Sequence, residues 1–358
     1  MNFSLEVFMR ALPVKSLLAA TLTCLALSLS YAASPPAAAG ASSPSAQDTI
    51  NALTKAQSAV VGVQVTAAEG ARSAETLGKQ RSGSGVVIGA DGLVVTIGYL
   101  ILEADDIQIT TTDKKTVPAR VVAYDLATGF GLIRPVVPLR GIAPVSLGGI
   151  TDIKTGEALM ASTGASPDDD ADVNMTQLVS KRAFSGYWEY HIDSALFTSP
   201  PVQNHSGAPL FNQRGELLGI GSLFVMDAMG QNVRLPGNMF VPVDLLKPIM
   251  AEMLQTGSSK LSKRPWVGLT SAEQGGRVQI VRVNKDGPAQ AAGLQPGDVV
   301  LAVDDAKVAN LEAFYKKLWD RASPEADIKL TVLQGADLKT IVIKAVDRMS
   351  TMRKPSGI

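Results

Sequence analysis

The chain has 358 residues, long enough for two domains with sizeable cores. Lys plus Arg and Asp plus Glu balance at 33 each, so bulk charge gives no reason to expect a nucleic-acid or acidic partner. Cys24 is the single cysteine, which excludes an intramolecular disulfide, while 32 Gly and 20 Pro beside few aromatics suit a turn-rich β protein.

In chain order, Arg10 and Lys15 precede an apolar stretch over 16–30 and the small-residue run Tyr31-Ala32-Ala33. Basic, apolar and small-residue regions in that order predict a signal peptide over 1–33, cleaved after Ala32 or Ala33, and hence a periplasmic protein. The stretch is short for a membrane span, so no integral span is expected after cleavage. Thr23 before Cys24 and the apolar run beyond it argue against a lipid anchor there. Residues 34–46 are rich in Pro, Ala and Ser and read as a disordered linker.

A short helix over 47–59 is expected next, then a strand over 59–65 and a polar, mobile loop over 69–81. Two β-rich runs flanking Ala90-Asp91-Gly92 predict a hairpin, followed by Thr96-Ile97-Gly98-Tyr99-Leu100-Ile101. Strands continue through Ile107–Thr110 and 117–123 to Tyr124-Asp125-Leu126-Ala127-Thr128-Gly129-Phe130-Gly131-Leu132. Then Asn204-His205-Ser206-Gly207-Ala208-Pro209-Leu210 sets one serine in a small-residue turn closed by a proline. Taken alone that turn is an ordinary one.

In order and spacing, these segments resemble the HtrA (DegP-like) family of trypsin-like serine proteases, whose nucleophile sits in a Ser-Gly-Gly-Pro-Leu turn. The resemblance covers 47–257 and implies a trypsin-like double β-barrel with Ser206 at the nucleophile position. In the family the hairpin leads to Thr-Asn-His, so Tyr99 stands at the histidine position. The family's Thr-Asp-Leu-Ala places Gly129 where the orienting aspartate belongs, and Asn204 takes the position of an oxyanion-hole glycine. Residues 258–263 read as a short polar linker.

Beyond it, Gly287-Pro288-Ala289 and Gly293-Leu294-Gln295-Pro296-Gly297-Asp298 predict a helical turn ended by glycine and a turn into a strand. Leu311, Phe314, Tyr315, Leu318 and Trp319 fall at helical spacing. This is similar to bacterial PDZ domains over 264–347, leaving 348–358 as a frayed tail. The whole is therefore read as mainly β, a double β-barrel followed by a PDZ domain (β-sandwich-like with two helices). Arg264-Pro265-Trp266-Val267-Gly268-Leu269 resembles the opening of HtrA-type PDZ domains, where loop amides cradle a C-terminal carboxylate. Arg264, Trp266, Val267, Gly268 and Leu269 are accordingly the candidate peptide-binding residues, with Trp266, Val267 and Leu269 facing the helix 311–318 across a pocket.

Hydrolysis by Ser206 needs a group that removes its proton and returns it to the leaving amine. A phenol of ordinary pKa, about 10, is protonated at neutral pH and has no vacancy for that proton. Losing such a base costs roughly six orders of magnitude in turnover. Two histidines remain: His205 neighbours Ser206 in a tight turn where side chains diverge, and His191 reads as structural. Lys181-Arg182 reads as an exposed loop rather than a Ser–Lys dyad, and Asp168-Asp169-Asp170 with Asp172 as a solvated loop rather than a calcium cage. No metal site or cofactor is expected. The reading is an exported pseudoprotease that captures unfolded or C-terminal polypeptide segments in envelope quality control. The resemblance further implies assembly as a homo-trimer or beside an active paralogue. A serine endopeptidase with an unrecognised base is the alternative.

Overall fold

The computed structural model describes residues 45–230 and 233–353. The expected signal peptide and nearly all of the 34–46 linker lie outside these residues. Ser45 caps α1 (Ala46–Gln57) reciprocally with Asp48, as a capping box does.

Alternating small and β-branched residues then build the first barrel. Its strands are β1 (Val60–Ala67), β2 (Gln80–Val87), β3 (Val94–Ile97), β4 (Ala104–Thr110), β5 (Thr116–Tyr124) and β6 (Phe130–Pro135), closed in the order β1-β2-β3-β6-β5-β4. Between strands lie two four-residue helices, α2 (Ala74–Leu77) and α3 (Gly98–Ile101). The segment expected to be a mobile loop is thus partly helical and partly strand, and Arg81 within it is buried.

The second barrel comprises β7 (Ala158–Thr163), β8 (Asp172–Gly186), β9 (Tyr190–Ser199), β10 (Pro209–Phe211), β11 (Leu217–Val225) and β12 (Gly237–Pro242), closed as β10-β11-β12-β9-β8-β7. Helix α4 (Met250–Thr256) leaves it. Barrel interiors are filled by side chains such as Phe130, Leu132, Phe197, Phe211 and Phe240, all fully buried. Burial stabilises each by about 1.5–3 kcal/mol.

The C-terminal domain contains β13 (Pro265–Trp266), β14 (Leu269–Gln274), β15 (Arg277–Val283), α5 (Pro288–Ala291), β16 (Val299–Val303), β17 (Ala306–Lys307), α6 (Leu311–Trp319), β18 (Asp327–Gln334), β19 (Asp337–Lys344) and β20 (Val346–Asp347). Its sheet runs β14-β15-β16-β18-β19, while β13 pairs with β20. Asn310 caps α6 through the Ala313 amide, and Leu311, Phe314, Tyr315 and Leu318 are buried as their spacing predicts. The architecture is the mainly β double barrel followed by a PDZ domain.

The short polar linker is pinned in place, and the expectation of a frayed tail is corrected. Residues 258–263 contain a 3-10 turn, Lys260–Ser262, whose Ser262 hydroxyl and that of Ser259 both donate to buried Asp125 at 2.5 Å. The joint is fastened because a buried carboxylate requires donors. The tail after 347 also has structure: α7 (Arg348–Thr351) follows β20, and the Arg353 amide donates to Glu103 Oε1 at 2.9 Å.

Candidate functional site

The Ser206 turn is seated on the first barrel by the backbone. The Ser84 amide donates to the Ser206 carbonyl at 2.8 Å, and the Gly207 amide to the Gly221 carbonyl at 2.8 Å. A Cβ on Gly207 would lie 2.0 Å from the Ser84 carbonyl oxygen, and its φ is +74°, so glycine is required. Asn204 takes φ +52°, the left-handed region that Asn tolerates better than most residues. Among the described residues, the Asn204 and Ser206 amides donate to no acceptor in the chain. Two N–H groups at the oxyanion positions therefore remain available.

Tyr99 lies on α3 and reaches the nucleophile position. Its Oη is 2.7 Å from Ser206 Oγ and donates to the Ser222 carbonyl at 2.9 Å. A phenol carries one proton, and a carbonyl can only accept. With that proton on Ser222, the phenol oxygen meets the serine hydroxyl only as a weak neutral acceptor. Burial pushes the Tyr99 phenol up to about 12, against the opposing pull of the Ser206 hydrogen bond. The helix is held by Arg81, which donates to the carbonyls of Tyr99 at 3.1 Å and Leu102 at 2.7 Å. Sequence reasoning singled out neither Arg81 nor Ser222.

At the aspartate position, Gly129 has φ +83°, and its carbonyl accepts from the Gly98 amide at 2.7 Å. The surrounding space is occupied by tyrosines. Tyr190 Oη donates to the Thr128 carbonyl at 2.6 Å and would lie 3.5 Å from a Cβ on Gly129. A Cβ on Gly98 would come within 2.3 Å of the Tyr124 ring. Burial raises both phenols above their ordinary range. Asp125 is no substitute, since its oxygens accept from Thr128, Ser259 and Ser262.

The other titratable candidates stand apart from Ser206. His205 makes no side-chain hydrogen bond to Ser206 among the described residues, and burial lowers its pKa while a Val202 backbone hydrogen bond partly opposes this. His191, on β9, is buried between Ser185 Oγ at 2.9 Å and Asp193 Oδ1 at 3.2 Å. Lys181 and Arg182 lie within β8, not in a loop. Lys181 Nζ donates to the Ile150 and Ile153 carbonyls, and Arg182 stacks 3.5 Å from the Phe197 ring centroid. Asp170 pairs with Lys114 at 2.8 Å in an exposed loop. His191, Asp193 and Glu312 converge as three potential metal ligands, but the Lys316 ammonium already sits 2.7 Å from both carboxylates. We assign no metal there.

The PDZ opening is arranged differently from the expected open pocket. Glu189, in the turn between β8 and β9, is only 3% exposed and directs its carboxylate into the loop. Its Oε1 accepts from the Gly268 and Leu269 amides at 2.8 Å each, and Oε2 from the Val267 amide at 3.3 Å. Burial pushes the Glu189 carboxyl up, against these amides and Arg348. Arg264 donates to the Glu189 carbonyl at 3.1 Å, and its guanidinium lies 3.6 Å from the Trp319 ring centroid. Burial lowers Arg264 to about 10. Trp266 does not face α6. It pairs with Val346 and lines a separate cavity of about 650 Å³ with Glu103, Pro288 and Arg353. Val267 and Leu269 are packed in the PDZ core with Phe314 and Leu318. At this loop the residue that sequence reasoning missed is Glu189. Its only sequence signal is a lone acid beside Trp188 and Tyr190 in a hairpin tip, and Tyr190 is buried while Tyr187 stays exposed.

Comparison with known proteins agrees with this architecture. Residues 83–220 match the trypsin-like peptidase domain and 265–345 the PDZ domain. The chain is 25% identical over 290 residues to a probable periplasmic serine endoprotease, DegP-like, of Halomonas elongata, covering 77% of this chain and 58% of that protein. It is 27% identical over 285 residues to a protein of the same description from Pseudomonas fulva, covering 74% and 57%. The chain thus spans less than three fifths of these relatives. Among solved structures, HtrA-type protease AlgW with tripeptide superposes with a TM-score of 0.52 at 21% identity, covering 87% of this chain and 98% of that one. The serine endoprotease from Yersinia pestis gives 0.52 at 20%, covering 85% and 99%. These two likenesses concern the fold.

Proposed function

We propose that this chain, with a trypsin-like peptidase domain followed by a PDZ domain and similar to DegP-like serine endoproteases, is an HtrA-family member that binds polypeptides without cutting them. The observation that carries this reading is the Tyr99–Ser206 contact at 2.7 Å. The position from which a base would act is filled by a neutral phenol whose proton is held by a carbonyl. Proton abstraction by that group at neutral pH is disfavoured by several units of pKa.

Binding is assigned to the PDZ domain, whose loop amides already hold a carboxylate. A polypeptide C-terminus presents the same chemistry. The periplasm is the proposed compartment, in keeping with relatives named periplasmic. No helix among the described residues is long and apolar enough to cross a membrane. Assembly as a homo-trimer or with an active paralogue is part of the same proposal, tested by light scattering of the purified protein and by co-purification.

The rival is a weak serine endopeptidase, favoured by the unengaged Ser206 and Asn204 amides. Casein digestion and fluorophosphonate labelling separate the two. We expect wild type and Ser206→Ala to be equally inert and wild-type Ser206 to stay unlabelled. Cleavage by wild type that is lost in Ser206→Ala would overturn the reading.

A further inference from the structure

The hairpin tip 186–189 lies against the PDZ domain as a bound peptide would. We propose that Glu189 is a built-in occupant of the PDZ carboxylate loop, and that a polypeptide with a free C-terminal carboxylate binds by displacing it. This rests on the peptide-binding reading above and adds how that binding is regulated.

Four observations point the same way. The Glu189 carboxylate takes the amides of Val267, Gly268 and Leu269, three successive donors converging on one anion. Two residues earlier in the chain, the Tyr187 carbonyl accepts from the Ser271 amide at 2.9 Å. A spacing of two on the ligand against two on β14 is the repeat of an added strand. On the α6 side, the Tyr315 hydroxyl donates to the Gly186 carbonyl at 2.8 Å, and the Glu189 amide donates back to Tyr315 Oη at 3.3 Å. The tip is therefore gripped from both walls of the groove.

The occupant is also an imperfect one. Glu189 adopts φ +58°, a left-handed conformation that disfavours a side chain. It presents its anion from a side chain in a turn, whereas a terminal carboxylate enters on a relaxed strand. An external terminus can supply the same two oxygens without that strain. Displacement would release the hairpin from the groove and loosen the PDZ domain from the second barrel.

The test uses the mature chain and fluorescein-labelled decapeptides with each apolar residue in turn at a free C-terminus, each beside its C-terminal amide. By fluorescence anisotropy we expect weak binding of the best free acid to wild type and at least tenfold tighter binding to Glu189→Ala. The amide should bind neither. Tyr315→Phe, which removes only a hydroxyl, should shift affinity in the same direction by a smaller factor. Equal affinity in wild type and both variants would overturn the proposal while leaving peptide binding intact. Failure of every peptide to bind any form would instead sink the peptide-binding reading. Hydrogen exchange then reports on the occupant separately: amides 267–269 should be protected in wild type and exchange at least tenfold faster in Glu189→Ala. Equal protection would overturn the occupancy.

Discussion

Tyr99 is the side chain that meets Ser206, and its burial sets how readily it could give up its proton. Its phenol is raised from 10.0 to about 12, chiefly by burial. Between those values the folded chain holds a proton that the unfolded chain has released, so stability falls as pH rises through that window. The Tyr99 contribution is fully present below pH of about 10 and gone above about 12. Urea unfolding at pH 9 and pH 11 should therefore show a loss on the order of 1 kcal/mol in wild type beyond that in Tyr99→Phe. Equal losses would mean that the phenol is not buried as described. Restoring the missing partners is a harder change than the sequence suggests. The combination Gly98→Asn, Tyr99→His and Gly129→Asp puts a side chain into the Tyr124 ring and another onto a backbone at φ +83°. We expect this variant to leave casein intact and to melt several degrees below wild type. Cleavage by it would show that Tyr124 yields.

At the scale of elements, the site is positioned by short pieces pinned at their ends. Helix α3 has only four residues and depends on Arg81 for its carbonyls. The interdomain turn 260–262 depends on Asp125, which is wholly buried and accepts from three side-chain hydroxyls and the Thr128 amide. Asp125→Ala strands these donors and should cost about 3 kcal/mol in urea unfolding. It should also make the 258–263 segment cleavable by trypsin at Lys260 or Lys263, and resistance there would contradict the pinning. Much at this scale was legible from sequence. The barrels follow from alternation and turn residues, and α6 from apolar spacing. What pins the linker and what fills the loop are not legible in the sequence, for one reason. Periodicity and turn chemistry are local, whereas Ser262 meets Asp125 137 residues away and Gly268 meets Glu189 79 residues away. The hairpin tip, with Tyr187 exposed and Tyr190 buried, does not say what it packs against.

The molecule as a whole joins its barrels and its PDZ domain through buried polar contacts as well as apolar packing. Asp125 grips the linker, Glu189 fills the loop, and Arg264 spans both by reaching the Glu189 carbonyl while stacking on Trp319. Glu189 meets amides of the PDZ domain and Arg264 a carbonyl of the second barrel, while Asp125 meets the linker between them, so separating the domains leaves several groups to be resolvated together. That coupling predicts cooperative unfolding. Calorimetry of wild type should give one transition over the barrels and the PDZ domain. In an Asp125→Ala, Glu189→Ala double variant the linker and the loop are both released. The PDZ core of Val267, Phe314, Leu318 and Ile328 is untouched by these substitutions and can fold on its own terms. The expected result is two resolved transitions, with the PDZ domain accounting for the smaller enthalpy because it is the shorter domain. A single transition in the double variant would mean that apolar packing, and not these polar clasps, couples the domains.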